Sequence, residues 1–173
     1  PPAGSSVDAA QCCKFDDFNT IAASDVYVKT GRVFFEARID VAVGCVQLGW
    51  ISDGFARSDE PSDGIGVGDD RHSWAADGLR QRKWHGGELP GFDAAWATGD
   101  VVGVAADLDA GRLHFAVNGA WACAFEGIAV PASGLAPALT ADSGFAATLN
   151  LGNAAFAFGP PDESYVSVQS ATA

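Results

Sequence analysis

Basic residues are scarce in this chain. Its 173 residues hold 10 Lys and Arg against 22 Asp and Glu, a formal charge of −12. Nucleic acid and anionic membrane both require a positive surface, so neither is an expected partner. A basic or neutral protein or peptide is compatible with this charge, which also keeps a Trp-rich, Gly-rich domain soluble. Cysteine is sparse too: Cys12, Cys13, Cys45 and Cys123 form no C-x-x-C pair. Adjacent Cys12 and Cys13 would bridge to each other only with strain. Cys45 and Cys123 fall inside predicted strands and read as small apolar core residues. None of the three histidines, His72, His85 and His114, stands at zinc-ligand spacing from another His or a Cys. No secretory h-region appears, and no apolar run approaches membrane-spanning length. These absences point to a reducing, intracellular, cytoplasmic setting. The chain begins Pro1-Pro2 without Met, which suggests a piece of a longer protein or a trimmed N-terminus.

Apolar spacing at helical period is also missing. Alanine is abundant, but it follows no such spacing and reads as compositional bias. What is present is turn chemistry: 21 Gly and 8 Pro suit a β-sandwich or barrel better than a helical bundle. The clearest stretch runs from Gly99 to Phe125. Val101 to Leu108 is a run of strand formers, Asp109-Ala110-Gly111 a turn, and Leu113, Phe115 and Val117 alternate with Arg112, His114 and Ala116. Asn118-Gly119 then supplies the two residues tolerant of positive φ that a type I′ hairpin needs, and Trp121 to Phe125 returns. An antiparallel all-β domain follows from this meander.

The remaining elements agree. Val33, Phe35, Ala37, Ile39 and Val41 share one strand face, and Phe34, Glu36, Arg38 and Asp40 the other. Strands are also expected at Val26–Val28, Cys45–Ile51, His72–Ala76, Leu79–His85, Leu135–Thr140 and Ala146–Leu151. The longest loop, 52–70, is rich in Asp, Gly and Ser and is long enough to be suspected of function. Residues 1–23 read as a lead-in packing on the domain edge, 24–161 as the sandwich and 162–173 as a tail.

In their order these elements resemble a SPRY domain. The pattern starts with Gly-x-aromatic-aromatic-Glu, here Gly31 to Glu36 with one extra residue, and Gln-x-Gly-Trp, here Gln47 to Trp50. Gly66 to Asp70 matches Gly-x-Gly-Asp-Asp; Ser73-Trp74 and Asp77-Gly78 follow, and Trp96 to Gly103 matches Trp-x-x-Gly-Asp-x-x-Gly. Asp107 to Gly111, Phe115 to Gly119, Ala124-Phe125, Leu135 to Ala138 and Asn150 to Gly152 complete it. The Gly-Asp-Asp and Asp-Gly elements look closest to SPRY modules of large intracellular ubiquitin ligases and scaffold proteins. The resemblance implies a bent sandwich of two antiparallel sheets. It also implies a non-catalytic module that binds peptides or protein surfaces with loops at one end; the meander, the turn residues and the missing ligand spacing lead us to expect a monomeric domain without metal or cofactor. By position, the resemblance implies partner-binding residues at Lys29 and Thr30, at Ser52, Asp53, Phe55 and Asp63, and at Asp142 and Ser143. Phe55 is either an apolar anchor for the partner or a loop residue folded back on the core. With Asp53, Asp63 and Asp142 gathered at one end, the partner is expected to be basic or neutral.

Other chemistries fit these residues less well. Gly64-Ile65-Gly66-Val67-Gly68 lacks the third Gly of a dinucleotide loop, and Asp69-Asp70 would repel phosphate, so a structural turn is expected. Asp107-x-Asp109-x-Gly111 resembles the start of a calcium loop, but its twelfth position is Asn118 and it reads as a hairpin. The acidic loop with Asp53, Asp59, Glu60, Asp63, Asp69 and Asp70 reads as solvated rather than metal-binding, with Asp69-Asp70 fixing the loop through backbone hydrogen bonds. Glu36 and Asp40 on one face, and five Trp able to stack sugars, leave one alternative: a carbohydrate-binding or glycosidase-like jelly roll.

Overall fold

The computed structural model of the chain describes residues 5–7, 11–55 and 64–172. In chain order its strands are β1 (Ser5–Val7), β2 (Cys12–Phe15), β3 (Asn19–Ala22), β4 (Arg32–Val41), β5 (Val46–Ile51), β6 (Ser73–Asp77), β7 (Arg82–Trp84), β8 (Glu88–Leu89), β9 (Val101–Asp107), β10 (Arg112–Val117), β11 (Ala120–Glu126), β12 (Ala136–Ala141), β13 (Ala146–Asn150) and β14 (Val166–Ser167). A one-turn helix, α1 (Val168–Ala171), follows, capped by Ser167 Oγ accepting from Ser170 N at 3.1 Å. The strands form two sheets. One has the order β1-β2-β13-β4-β9-β10-β11, with β14 beside β4, and the other β3-β12-β5-β6-β7-β8. The pairings are antiparallel apart from the short β14–β4 contact. The expected two-sheet sandwich is therefore the fold.

The meander forms as its turn residues dictate. Asn118 and Gly119 sit at φ 50° and 83°, both in the left-handed region a type I′ turn requires. Asn118 Oδ1 also accepts from Val101 N at 2.9 Å, and its Nδ2 donates to Asp100 Oδ1 at 2.9 Å, tying the turn to the start of β9. The other turn is tied as well: Asp107 accepts from Ala110 N and Arg32 Nε, and Asp109 from Gly31 N at 2.9 Å. These carboxylates serve a hairpin rather than a calcium loop.

Between the sheets, alternation sets the core. Val33, Phe35, Ala37 and Ile39 of β4 meet Leu48 and Trp50 of β5, with Phe35 and Trp50 edge to face at 5.3 Å. Each such large side chain contributes about 1.5–3 kcal/mol by leaving water. Gly49 has a packing reason: a Cβ there would lie 2.0 Å from the Trp74 carbonyl oxygen, so a side chain would push β5 and β6 apart. Val41 leaves the expected face and is exposed, because the β4–β13 register slips between Ala146 and Ala147 and the bulge turns the strand end outward. Phe34 and Glu36, on the opposite, outer face of β4, are buried as well.

The burial of that outer face corrects the expected domain limits. The segment 156–168 crosses the outside of the first sheet. Phe156 packs on Phe34 at 4.3 Å, Tyr165 joins Phe34 and Ala105, and Val168 enters the core. Residues 162–173 are thus not a tail over their described length. Glu36 holds the strap in place, accepting from the backbone N–H groups of Ala157 (2.7 Å), Phe158 (2.9 Å) and Gly159 (2.9 Å). At the other terminus, β2 pairs with β13 and β3 with β12, so residues 12–15 and 19–22 are strands of the sandwich, with Phe15 and Cys13 in the core. Val26–Val28 forms only a bridge, Val28 to Leu135. Two cysteine expectations are also corrected: Cys45 is half-buried just ahead of β5, and Cys123 is exposed on the edge strand β11. Among the described residues no helix is long and apolar enough to cross a membrane.

Candidate functional site

Strand directions decide where loops meet. β5 and β12 pair antiparallel, Ile51 opposite Ala136 and Val46 opposite Ala141. Ser52 leaves β5 at one end of this sheet, and Asp142 leaves β12 at the other. The strand between them spans roughly 16 Å at the ordinary rise per residue. The expected binding residues therefore divide. Lys29, Thr30, Ser52 and Asp53 gather at one end, called here the β5-exit end. Asp142 and Ser143 lie at the opposite end, where Asp142 sits over Gly44, its N–H donates to the Cys45 carbonyl at 3.1 Å and its Oδ1 accepts from Ser143 N. Asp63 lies outside the described residues. The gathering of Asp53 and Asp142 at one end, on which a basic partner was expected, does not occur.

At the β5-exit end the loops hold each other. Asp53 Oδ1 accepts from Ser133 Oγ at 2.7 Å. The next residue, Gly134, lies against Lys29: a Cβ at this glycine would stand only 3.0 Å from Lys29 Cγ. Backbone bonds between Val28 and Leu135, both 2.9 Å, complete the link. Ser52 is buried and structural: its N–H and Oγ both donate to the His72 carbonyl, at 2.8 and 3.1 Å. Phe55 is half-buried and packs on the cluster of Ile51, Val67, Ala75, Ala136 and Ala138. Its ring is folded back on the outer face of the second sheet. Lys29, Thr30 and Asp53 remain exposed.

The glycine-rich turn is structural. Asp69 accepts from Gly66 N at 2.6 Å and from Gln47 Nε2 at 2.7 Å, while Asp70 accepts from His72 N and Ser73 Oγ. These bonds fix the segment 66–73 against β5 and β6. Among the described residues, no three His, Cys, Asp or Glu side chains stand together as a metal-ligand set. The carboxylates of the glycosidase alternative are committed elsewhere, Glu36 to the strap and Asp40 to Arg38 Nε (2.7 Å) and Thr148 Oγ1 (2.6 Å). Trp50, Trp74 and Trp96 are buried, and Trp84 and Trp121 half-buried, so they make no exposed sugar platform.

A groove beside this end was not legible as a site in the sequence. It measures about 440 Å³ and lies between β7 and the chain leaving β11, walled by Trp74, His85, Phe125 and Ile128, with Arg71 and Lys83 at its border. His85 stacks on Trp74 at 4.7 Å and 9°, and its Nδ1 lies 2.9 Å from the Ser73 carbonyl, so that nitrogen carries the proton and donates. Lys83 Nζ donates to the Ala124 carbonyl at 2.7 Å and sits 5.4 Å from the Phe125 ring centre. In the sequence this region holds a basic run, Arg80, Arg82 and Lys83, the next candidate for partner binding after the loops. The structure separates these three: Arg80 pairs with Asp77, Arg82 with Glu88 at 2.9 Å, and Lys83 faces the groove.

Two comparisons with known proteins bear on this arrangement. The E3 ubiquitin-protein ligase RKP of Arabidopsis thaliana is 31% identical over 153 residues, which cover 87% of this chain but 11% of that protein. The chain thus spans about one-ninth of this relative's length. Residues 32–154 match the family description of the SPRY domain, from the first residue of β4 to just past the end of β13. With the two-sheet antiparallel sandwich and the motif order already in place, this chain belongs to the SPRY domain family.

Proposed function

We propose that this domain is a non-catalytic protein-interaction module that binds a peptide or protein surface with the loops of its β5-exit end. SPRY domains are commonly modules of this kind. The observation that carries the proposal is the mutual bracing of three loops there. The Asp53–Ser133 hydrogen bond and the contact of Gly134 with Lys29 join segments 28–31, 52–55 and 131–134 into one surface. A rigid sandwich that presents braced, exposed loops can vary their sequence without disturbing the core. Within a longer intracellular protein such a surface selects a partner, and in a ubiquitin ligase it would select the substrate. Asp142 and Ser143 offer the opposite end as the competing location.

Affinity capture from lysate tests this, using wild type and two double variants at exposed or half-exposed positions. We expect Lys29→Glu/Thr30→Trp to lose the specifically captured proteins and Asp142→Lys/Ser143→Trp to keep them, with matching melting curves. Loss with the Asp142/Ser143 pair alone would move the site to the other end.

A further inference from the structure

We propose that the groove between β7 and the end of β11 takes an acidic side chain of a peptide partner, seated beside a large apolar residue. This deepens the interaction reading above, because the groove adjoins the same end of the sandwich, and it names the chemistry of the partner.

The charge distribution favours this occupant. In a chain of net charge −12, most described arginines are neutralised at close range. Arg32 pairs with Asp107, Arg38 with Asp40, Arg80 with Asp77, Arg82 with Glu88 and Arg112 with Glu126. Among the described residues no carboxylate stands within ion-pair distance of Arg71 or Lys83, and both line the groove. Lys83 is also positioned. Its bond to the Ala124 carbonyl and its place over Phe125 hold the ammonium still and use one of its three donors. The carboxylate at the rim, Glu126, is exposed and lies 3.5 Å from Arg112 on the neighbouring strand. A ligand carboxylate therefore meets one fixed and one exposed cation with donors to spare, which is what charge-assisted recognition needs. The flat Trp74–His85 stack and Phe125 supply the apolar wall, where a desolvated side chain would gain most. The sequence expectation of a basic or neutral partner is reversed at this site.

Selection of displayed random dodecapeptides on the wild-type domain tests the proposal. Enriched peptides are then measured by fluorescence anisotropy on wild type and on the variants Arg71→Glu, Lys83→Met and Asp142→Lys. We expect enrichment of Asp or Glu next to Leu, Ile, Phe or Tyr, and affinity that falls with salt. Arg71→Glu and Lys83→Met should each weaken binding about tenfold, the scale of one charge-assisted contact, with Asp142→Lys unchanged. Arg71 is exposed, so its variant should melt like wild type and keeps the test sound if Lys83→Met is destabilised. Enrichment of neutral or basic peptides, no enrichment, or acidic peptides that bind Arg71→Glu within about twofold of wild type would each overturn it. If captured lysate proteins depend on Asp142 and Ser143 while selected peptides still need Arg71, the groove stands and the loop proposal falls. The converse pattern, capture needing Lys29 and Thr30 with peptides indifferent to Arg71, removes the groove alone.

Discussion

Glu36→Gln is the substitution whose effect follows most directly from the structure. Glu36 is 4% exposed, and its two carboxylate oxygens accept three backbone N–H groups of the strap, at 2.7, 2.9 and 2.9 Å. The amide keeps one acceptor oxygen but turns the other into an N–H₂ group facing a donor. With the amide oxygen kept toward Phe158 and Gly159, the Ala157 bond is lost outright, the other two are weakened with the charge, and a donor faces a donor. Hydrogen bonds to charged groups contribute about 1.5–3 kcal/mol each. Ala157 and Phe158 are exposed enough for water to replace part of that loss. The expected cost is therefore about 2–3 kcal/mol, below the sum of the bonds. For a chain of this size, that lowers Tm by roughly 4–12 °C. Circular dichroism melts measure it, and amide hydrogen exchange at 157–159 should quicken more than exchange in β10. A control is Glu126→Gln, whose exposed pair with Arg112 is expected to contribute under about 1 kcal/mol. A Glu36→Gln melt within roughly 1 °C of wild type, or unchanged exchange in the strap, would refute this account of how the outer face is closed.

Two further predictions concern the same sheet. Gly119 holds φ 83° with Phe158 beside it, so Gly119→Val should cost about 1–3 kcal/mol and lower the melting midpoint; an unchanged midpoint would mean the turn relaxes without strain. Burial lowers the pKa of His114 below its ordinary value, so the unfolded chain binds this proton more readily than the folded one. Stability from this group is full above the unfolded pKa of about 6.5 and is lost as pH falls from there through the lower folded pKa. Melting wild type and His114→Asn between about pH 5 and 7 should show a steeper decline for wild type, and parallel profiles would contradict it.

The period of two along β4 and β10, the run of strand formers in β9 and the Asn118-Gly119 pair determined strands, turns and core face without reference to the rest of the chain. Alternation is a local property, and positive φ at a turn is a demand made on the residues in that turn. The turn-fixing role of Asp69 and Asp70 was legible for the same reason, since Gly66, His72 and Ser73 lie within a few residues of them; the bond from Gly31 N to Asp109 joins residues 78 apart and was not. Burial of Phe34 and Glu36 was not legible. It depends on a strap more than a hundred residues downstream, whose Phe156 and Tyr165 had no periodicity to reveal them. The site divided along the same line. Ser52 and Asp142 each follow a strand and look equivalent in the sequence, yet β5 and β12 are antiparallel neighbours, so their exits must point to opposite ends of the sheet. The groove needs more still. Arg71 precedes β6, Lys83 and His85 lie on or just after β7, and Phe125 belongs to the other sheet. Only the packing of one sheet edge against the other brings these two cations and an aromatic wall into one cleft.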